Sequence, residues 1–354
     1  MKLTAIVPVH NGGDGLCRCL EALLAGTRLP DELFVVDDAS TDGSGETARG
    51  LGARVIRLDE GPKGPAAARN RGAAAATGDV LLFFDADVVV HPDTVARIER
   101  YLTDEPAVDA LFGSYDDNPP ARGMVTRYKN LEHHYVHQHG RRDAGTFWAG
   151  CGAIRREVFN ASGGFDERYT RPSIEDIELG MRLRQAGYRI WLCPDVQVAH
   201  LKRWTFASLL RSDIRDRAVP WSRLIAGQRR GLPDDLNLDW RSRASGLVAW
   251  LPVFAWSLAG VAHCVSFSGV FDVGVGWWAA LGTALGLLGL AWLNWDLYRF
   301  FARRAGMAFA VGGAGLHWLY FIYSSATLAA VLAICLLRPR PTRERSQMPL
   351  GEIR

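Results

Sequence analysis

The chain has 354 residues, which is enough for one large domain and additional segments. A formal net charge of +3 is too small to indicate nucleic-acid binding, and the six cysteines include no second pair that would complete a zinc site with Cys17 and Cys19. We therefore expect no nucleic-acid partner, a soluble part in a reducing compartment, and no signal peptide, since residues 1–9 have the pattern of a first strand.

The first 85 residues alternate short apolar runs with helical patterns. Strands are predicted at 3–7, 33–37, 54–58 and 80–85, and helices at 14–26, 42–52 and 64–78. Repeated strand–helix–strand units predict an α/β domain with a Rossmann-like, mostly parallel sheet. Because right-handed crossovers place the carboxyl ends of such strands at one edge, we expect ligands to bind there.

The composition changes near residue 245. The segments 246–270, 273–293 and 307–337 each approach or exceed the roughly 20 apolar residues that cross a bilayer. We predict a transmembrane region at 246–337 with about three helices; a very apolar soluble helical domain is the alternative. Arginines precede and follow the third segment, and one full crossing cannot place both groups in the cytoplasm. A re-entrant hairpin and a partly interfacial segment therefore remain open beside the third crossing that we favour.

A basic segment joins the two regions. Between Lys202 and Arg243, repeated arginines are interleaved with tryptophans. We predict that 206–245 forms amphipathic helices at the membrane surface, with an ordinary solvated helix as the alternative. The final segment, 338–354, is predicted to be a basic disordered tail.

Acidic residues follow two of the predicted strands. Asp37 and Asp38 end the second strand, and Asp85 and Asp87 end the fourth. Converging carboxylates favour either a Mg²⁺ or Mn²⁺ site completed by phosphate, or hydrogen bonds to a base or ribose. Asp42 is predicted to cap the helix that follows it. The run "HNGGDG" after the first strand lacks the spacing of a phosphate loop or a dinucleotide fingerprint, which disfavours P-loop kinases and dinucleotide oxidoreductases.

The Asp85-Ala86-Asp87 motif has a second interpretation. A hydrophobic-Asp-x-Asp-x-Val run resembles the first motif of haloacid-dehalogenase-type phosphatases, in which the first Asp is the nucleophile. That motif normally lies on the first strand, whereas here it follows some 80 residues of βα units. The downstream lysines, Lys129 and Lys202, also have no matching context. We therefore keep the phosphatase only as a remote alternative.

A further acidic cluster lies in "RPSIEDIELGMRLRQAGYRI" (171–190). Ser173 and Asp176 have the spacing of a capping box at the start of a helix. Alternatively, Asp176 is a general base that takes a proton from an attacking hydroxyl. Spacing alone favours the capping role.

Five motifs in order carry a family resemblance. They are "IVPVHNGG", "VVDDASTDGS", "GPAAARNRGAAAATGDVLLFFDADV", "GGFDE" and "IEDIELGMRLRQAGYRI". Together they resemble a family 2 glycosyltransferase with the GT-A fold, over roughly residues 2–205, and we assign 1–205 to this catalytic domain.

The resemblance implies a nucleotide-activated sugar donor, a divalent Mg²⁺ or Mn²⁺ cofactor and inversion at the anomeric carbon. It also implies roles for individual residues: Pro8, Val9, Asp38, Arg69 and Asp85 at the donor nucleotide, Asp87 and Asp85 as metal ligands, and Asp176 as the catalytic base. Asp38 corresponds to the acid that contacts the base, and Asp87 is the surer metal ligand of the pair.

Other positions are assigned to the acceptor side or remain ambiguous. The run 145–159 lies where family members shape the acceptor site, and we place Trp148, Gly150 and Glu175 there. Trp148 either stacks on a sugar or belongs to the core. His200 either reaches the metal or diphosphate, or is structural.

These observations predict a membrane-anchored, inverting, hexosyltransferase-like enzyme of the cell (inner) membrane. Its catalytic domain is expected in the cytoplasm and its acceptor is expected to be a lipid or lipid-linked molecule in cell-envelope glycan or glycolipid synthesis. A catalytically degenerate scaffold that binds nucleotide sugars is the alternative from another class. A channel or transporter is disfavoured because the apolar segments lack the intramembrane charges of a polar pathway.

Overall fold

The computed structural model describes residues 1–59, 61–227, 239–265 and 272–337. Its first part is a series of βα units that confirms the predicted strands and helices to within a few residues. The elements are β1 (Leu3–Val9), α1 (Gly13–Leu24), β2 (Glu32–Asp37), α2 (Ser44–Gly50), β3 (Arg54–Arg57), α3 (Pro65–Ala75) and β4 (Val80–Phe84).

These four strands are parallel, as predicted. β1 lies between β2 and β4 and β3 pairs with β2, so the carboxyl ends of all four strands meet at one edge. Every residue of β1, β2 and β4 is buried. Helices on both faces cover the sheet, which explains why these strands are continuous apolar runs rather than alternating ones.

Most of the second part of the sheet was not predicted from the sequence, apart from a short strand ending at His200. Its elements are β5 (Val88–Val90), α4 (Thr94–Asp104), β6 (Ala110–Tyr115), α5 (Met124–His139), β7 (Cys151–Arg155), α6 (Arg156–Ala161), α7 (Glu175–Gln185) and β8 (Ile190–His200). The strand order is β3-β2-β1-β4-β7-β6-β8-β5, with β7 antiparallel to both β4 and β6, and β5 antiparallel to β8. The sheet is therefore mixed, and β4 lies at its centre.

Helices follow the sheet. They are α8 (Phe206–Arg211), a π-helical segment (Ser212–Ala218), α9 (Val219–Gly227), α10 (Trp240–Val248), α11 (Leu251–Val265), α12 (Asp272–Leu293), α13 (Trp295–Ala305) and α14 (Met307–Leu337). Within the described residues, three stretches are long and apolar enough to cross a membrane: Trp240–Cys264, Val275–Leu293 and Met307–Leu337. The predicted tail, 338–354, lies outside the described residues, as do 228–238 of the predicted interfacial segment and 266–271 between α11 and α12.

The apolar helices expose large side chains. Leu258 is 71% exposed, Trp277 is 74% exposed and Leu336 is 86% exposed. Contiguous apolar surface of this kind is unfavourable in water and favourable in lipid. These helices therefore have the surface of a membrane anchor.

The first half of α14 packs on the α/β domain. A Cβ on Gly312 would lie 2.7 Å from the Met124 side chain, and one on Gly313 would lie 3.0 Å from the Phe301 ring. This close approach allows Phe309 to join a buried cluster with Tyr128 of α5. The α/β domain and the third apolar helix are thus joined through a shared core.

Candidate active site

The central strand β4 ends in two accessible carboxylates. The Asp85 side chain is 34% exposed and the Asp87 side chain is 41% exposed, although the strand before them is buried. We refer to the partly enclosed site around these two side chains as the cleft. Desolvation by the surrounding protein affects both groups. It raises the pKa of Asp85, with Asp87 adding to the effect and Arg69 opposing it. For Asp87, the nearby His200 and Lys202 outweigh desolvation and lower the pKa.

Arg69 links this strand end to α7. Its guanidinium donates to Asp85 Oδ1 at 2.7 Å and to Glu175 Oε1 at 2.8 Å. The side chain is only 4% exposed and lies 5.3 Å from the centre of the Phe165 ring. A buried arginine shared by two carboxylates fixes their spacing, because removing either partner would leave a buried charge.

Asp176 does not belong to a capping box, so that prediction was wrong. Ile174 is the N-cap of α7, without a side-chain cap, and the Ser173 hydroxyl instead donates to the backbone oxygen of Asp216 at 2.5 Å. The Asp176 carboxylate accepts from the backbone N–H groups of Ala149, at 3.1 Å, and Ile177, at 2.8 Å. Burial, with Glu175 adding to it, raises the pKa of Asp176 to about 7. A carboxylate with this pKa is suited to accept a proton at neutral pH.

Glu175 is buried and fully engaged. One oxygen accepts from Arg69, and the other accepts from the backbone N–H of Ser173 at 2.8 Å. It is 4% exposed. Glu175 therefore positions Arg69 and the start of α7, while the neighbouring Asp176 is the more accessible carboxylate of the pair.

Asp38 lies at the same sheet edge, but both of its carboxylate oxygens accept hydrogen bonds from the protein backbone. Its two oxygens accept from the backbone N–H groups of Lys63, at 2.7 Å, and Gly64, at 2.8 Å. It is 4% exposed. Asp38 thus fixes the loop that begins α3, the helix carrying Arg69, and its predicted contact with a nucleobase stays a prediction.

Three other residues named in the sequence analysis lie at or just after the ends of β1 and β2. Pro8 and Val9 are buried at the end of β1, with Val9 packed in the core. Asp42 does not cap α2, so that prediction was wrong: Gly43 is the N-cap, without a side-chain cap, and Asp42 lies one residue before it, where its carboxylate accepts from the backbone N–H of Ser44 at 3.0 Å.

An aromatic wall lies beside the carboxylates. Tyr115 stacks on His200 with ring centres 4.3 Å apart, and its ring also meets Trp148 edge-on at 4.8 Å. His200 Nε2 is 3.6 Å from Asp87 Oδ2, so the structure brings the predicted histidine beside the predicted metal ligand. Trp148 is partly buried against both main core clusters. Trp148 thus packs against the core, as one of its two interpretations predicted, and its stacking on a sugar stays a prediction.

Gly150 allows this wall to form. A Cβ at Gly150 would lie 2.6 Å from the Trp148 indole, and the Gly150 carbonyl oxygen accepts from the Asp85 backbone N–H at 3.4 Å. A larger residue would displace either the indole or the strand end.

The cleft has the donor atoms for a divalent cation. Across the described residues, no three His, Cys, Asp or Glu side chains form a ready-made metal cage. Mg²⁺ is commonly held by one or two carboxylates, with phosphate and water completing its shell. The accessible oxygens of Asp85 and Asp87 are hard ligands at the carboxyl end of β4, so they are suited to bind a divalent cation in this way.

Two groups that were not among the predicted site residues interact electrostatically with those of the cleft. Tyr115 ends β6, and its electrostatic environment includes Asp85, Asp87 and Asp176. Arg217, from the π-helical segment, is also influenced by Tyr115 and Asp176. The sequence marked Arg217 only as part of a basic segment and did not mark Tyr115, because their positions relative to these acids depend on tertiary packing.

Comparison with known proteins agrees with this geometry. The model of the family "Glycosyl transferase family 2" matches residues 4–163, which contain β1 to β4 and the Asp85-Ala86-Asp87 motif. Residues 4–163 are thus similar to family 2 glycosyltransferases. The predicted α/β class is confirmed as a mixed sheet, followed among the described residues by helices apolar enough to span a membrane.

Individual relatives differ in how much of their length they share with this chain. The succinoglycan biosynthesis protein ExoA of Rhizobium meliloti is 28% identical over 304 residues, covering 78% of this chain and 85% of ExoA. Glycosyltransferase GlyA of Streptococcus pneumoniae is 32% identical over 126 residues, covering 35% of this chain and only 18% of GlyA. A structure of a mannosyltransferase from Pyrobaculum calidifontis, in complex with GDP-Man and Mn²⁺, is 20% identical with a TM-score of 0.49, covering 95% of this chain and 87% of that one.

Proposed function

We propose that this protein is a membrane-anchored, inverting, hexosyltransferase-like enzyme. It transfers a sugar from a nucleotide-diphosphate sugar to a hydroxyl or phosphate of a lipid or lipid-linked acceptor. The observation that carries the proposal is the pairing, in one cleft, of accessible Asp85 and Asp87 with Asp176, whose pKa is raised to about 7. ExoA, of which this chain covers 85%, is named for succinoglycan biosynthesis, and this supports a role in cell-envelope glycan or glycolipid synthesis.

The two sets of carboxylates have different roles in this proposal. Asp85 and Asp87 would hold Mg²⁺ or Mn²⁺, which would stabilise the charge on the leaving nucleoside diphosphate. Asp176 accepts the proton of the attacking hydroxyl when the acceptor carries one. Because attack and departure occur on opposite faces of the sugar carbon, a single displacement inverts its configuration.

The membrane-facing helices support a cytoplasmic orientation. Arg304 of α13 pairs with Asp117 of the catalytic domain at 2.5 Å, so the arginines of α13 are on the same side as the cleft. The positive-inside rule assigns a cluster such as Arg299, Arg303 and Arg304 to the cytoplasm. We therefore assign the catalytic domain to the cytoplasmic face of a cell (inner) membrane, where nucleotide sugars are made.

The proposed function is tested by donor-dependent transfer. Full-length protein in detergent is incubated with Mn²⁺, a panel of nucleotide sugars and a bacterial membrane lipid extract, and mass spectrometry detects a lipid whose mass rises by one sugar residue. Asp176→Asn is the matched control, and we expect it to abolish the product while nucleotide-sugar binding persists. Hydrolysis alone, with every donor and extract, would refute the lipid acceptor, and unchanged transfer by Asp176→Asn would remove Asp176 from the mechanism.

A further inference from the structure

The π-helical segment Ser212–Ala218 lies against the catalytic cleft. The Ser173 hydroxyl donates to the backbone oxygen of Asp216 at 2.5 Å, and Ser173 is three residues before Asp176. π-Helical turns are rare and are found frequently at functional sites. A segment that the sequence assigns to the membrane surface therefore borders the catalytic base.

Asp213 fixes this segment between the catalytic domain and the apolar helix α14. It is 5% exposed; one oxygen lies 3.4 Å from Lys129 Nζ of α5, and the other accepts from the Tyr323 hydroxyl of α14 at 2.6 Å. Buried charge-assisted contacts of this kind are directional. They hold the segment in one orientation relative to both neighbours.

Arg217 lies on the same π-helical segment and is accessible to a ligand. Its side chain is exposed, and among the described residues none forms a hydrogen bond or an ion pair with its guanidinium. The surrounding protein nevertheless desolvates it, and the charges of Asp213, Tyr115 and Asp176 outweigh that effect and raise its pKa. The residue before it, Asp216, accepts from Ser173 at the start of α7, so the accessible Arg217 lies on the segment that joins α7 to α14.

The position of Arg217 relative to the membrane anchor suggests its ligand. From Tyr323, which contacts the same segment, α14 continues for 14 residues to Leu337, about 20 Å of helix. Its last residues are apolar and exposed, with Leu336 and Leu337 both more than 80% exposed. A ligand with its tail beside this part of α14 would place its head group at the π-helical segment.

We propose that Arg217 binds a phosphate group of the lipid-linked acceptor and thereby presents the accepting oxygen to the cleft. The guanidinium fork matches the oxygens of a phosphate, and its position beside α14 suits a phosphate carried at the end of a hydrocarbon chain. Arg217 is a binding and specificity-determining residue in this inference, which rests on the proposed function.

The inference is tested by binding of a short isoprenoid phosphate. Full-length protein in neutral detergent is titrated with farnesyl phosphate, with farnesol as the uncharged analogue and phosphatidylglycerol as a phosphate from ordinary membrane lipid, and tryptophan fluorescence reports binding. We expect Arg217→Gln to weaken farnesyl phosphate binding by about tenfold or more, as expected for a lost hydrogen bond to a charged group, and to leave farnesol unaffected. Arg217→Lys should retain part of the affinity.

Arg215→Gln is the matched control. Arg215 is exposed on the same segment, two residues away and hence on another side of the helical turn, and we expect it to bind farnesyl phosphate like the wild type. Equal affinities for Arg217→Gln and the wild type would overturn the inference. It would also be overturned if phosphatidylglycerol bound as tightly as farnesyl phosphate with the same dependence on Arg217, since the residue would then bind anionic membrane lipid.

The two proposals fail in different ways. If nucleotide-sugar turnover persists while farnesyl phosphate binding is independent of Arg217, only the acceptor site is refuted. If the wild type turns over no nucleotide sugar, the proposed function is refuted, and the Arg217-dependent binding is then that of a phosphate-binding protein without transfer.

Discussion

Two strands of the sheet each end in a pair of aspartates, but one pair is buried and the other is partly exposed. At the end of β2, Asp37 and Asp38 are 0% and 4% exposed, and all four oxygens have protein partners. At the end of β4, Asp85 and Asp87 have side chains that are 34% and 41% exposed. Both pairs follow an apolar strand, so position at the carboxyl edge of a sheet does not by itself identify reactive carboxylates. Accessibility separates the acids that build the cleft from the acids that remain available to a ligand.

The largest expected effect comes from removing an accessible acid. Asp87→Asn should lower the rate of sugar transfer by about a hundredfold to a thousandfold, because the leaving diphosphate loses part of its charge stabilisation. Its only ion-pair partner among the described residues, His200, is 3.6 Å away, so we expect little change in folding stability. Transfer kinetics and thermal unfolding of the same preparation measure both quantities. If Asp87→Asn transferred sugar at the wild-type rate, accessibility would not distinguish ligand-binding aspartates from structural ones.

A smaller and different effect is expected at the buried pair. Asp37→Asn removes the carboxylate that pairs with Arg57 at 2.8 Å and accepts the Ser40 N–H at 2.8 Å. Because Arg57 is 40% exposed, solvent screening limits the loss, and we expect a decrease of about 1–2 kcal/mol in the free energy of unfolding. Chemical denaturation would measure it.

The control for this prediction is transfer activity per folded molecule. Asp37→Asn should retain most of the wild-type rate below its unfolding temperature. A severe rate loss with unchanged stability would mean that Asp37, like Asp87, acts on the ligand.

Local patterns predicted the first half of the domain well. The strands and helices up to β4 follow from apolar runs and turn residues, and their parallel arrangement brings Asp38, Asp85 and Asp87 to one edge, as expected. The resemblance to family 2 transferases then placed Asp176 in the same cleft, where Arg69 and Glu175 connect α7 to β4.

The remaining features depend on contacts between distant segments. The capping box failed because Ser173 bonds to Asp216, 43 residues away, and no local pattern encodes that partner. Arg217 was assigned with its neighbours to the membrane surface, because helical spacing alone does not show which arginines of the segment lie close to α7. Its location follows from the anchoring of Asp213 by Lys129 and Tyr323.

The pH dependence of transfer tests most directly whether the cleft works as an enzyme with Asp176 as its base. Because burial and Glu175 raise the pKa of Asp176 to about 7, the carboxylate is half protonated near that pH and loses the capacity to accept a proton as the pH falls. For transfer to a hydroxyl acceptor, we predict that kcat falls about tenfold per pH unit below pH 7 and that Asp176→Asn shows a low rate without this dependence. A wild-type rate that stays constant down to about pH 5, the range in which an ordinary Asp remains ionised, would contradict the assignment.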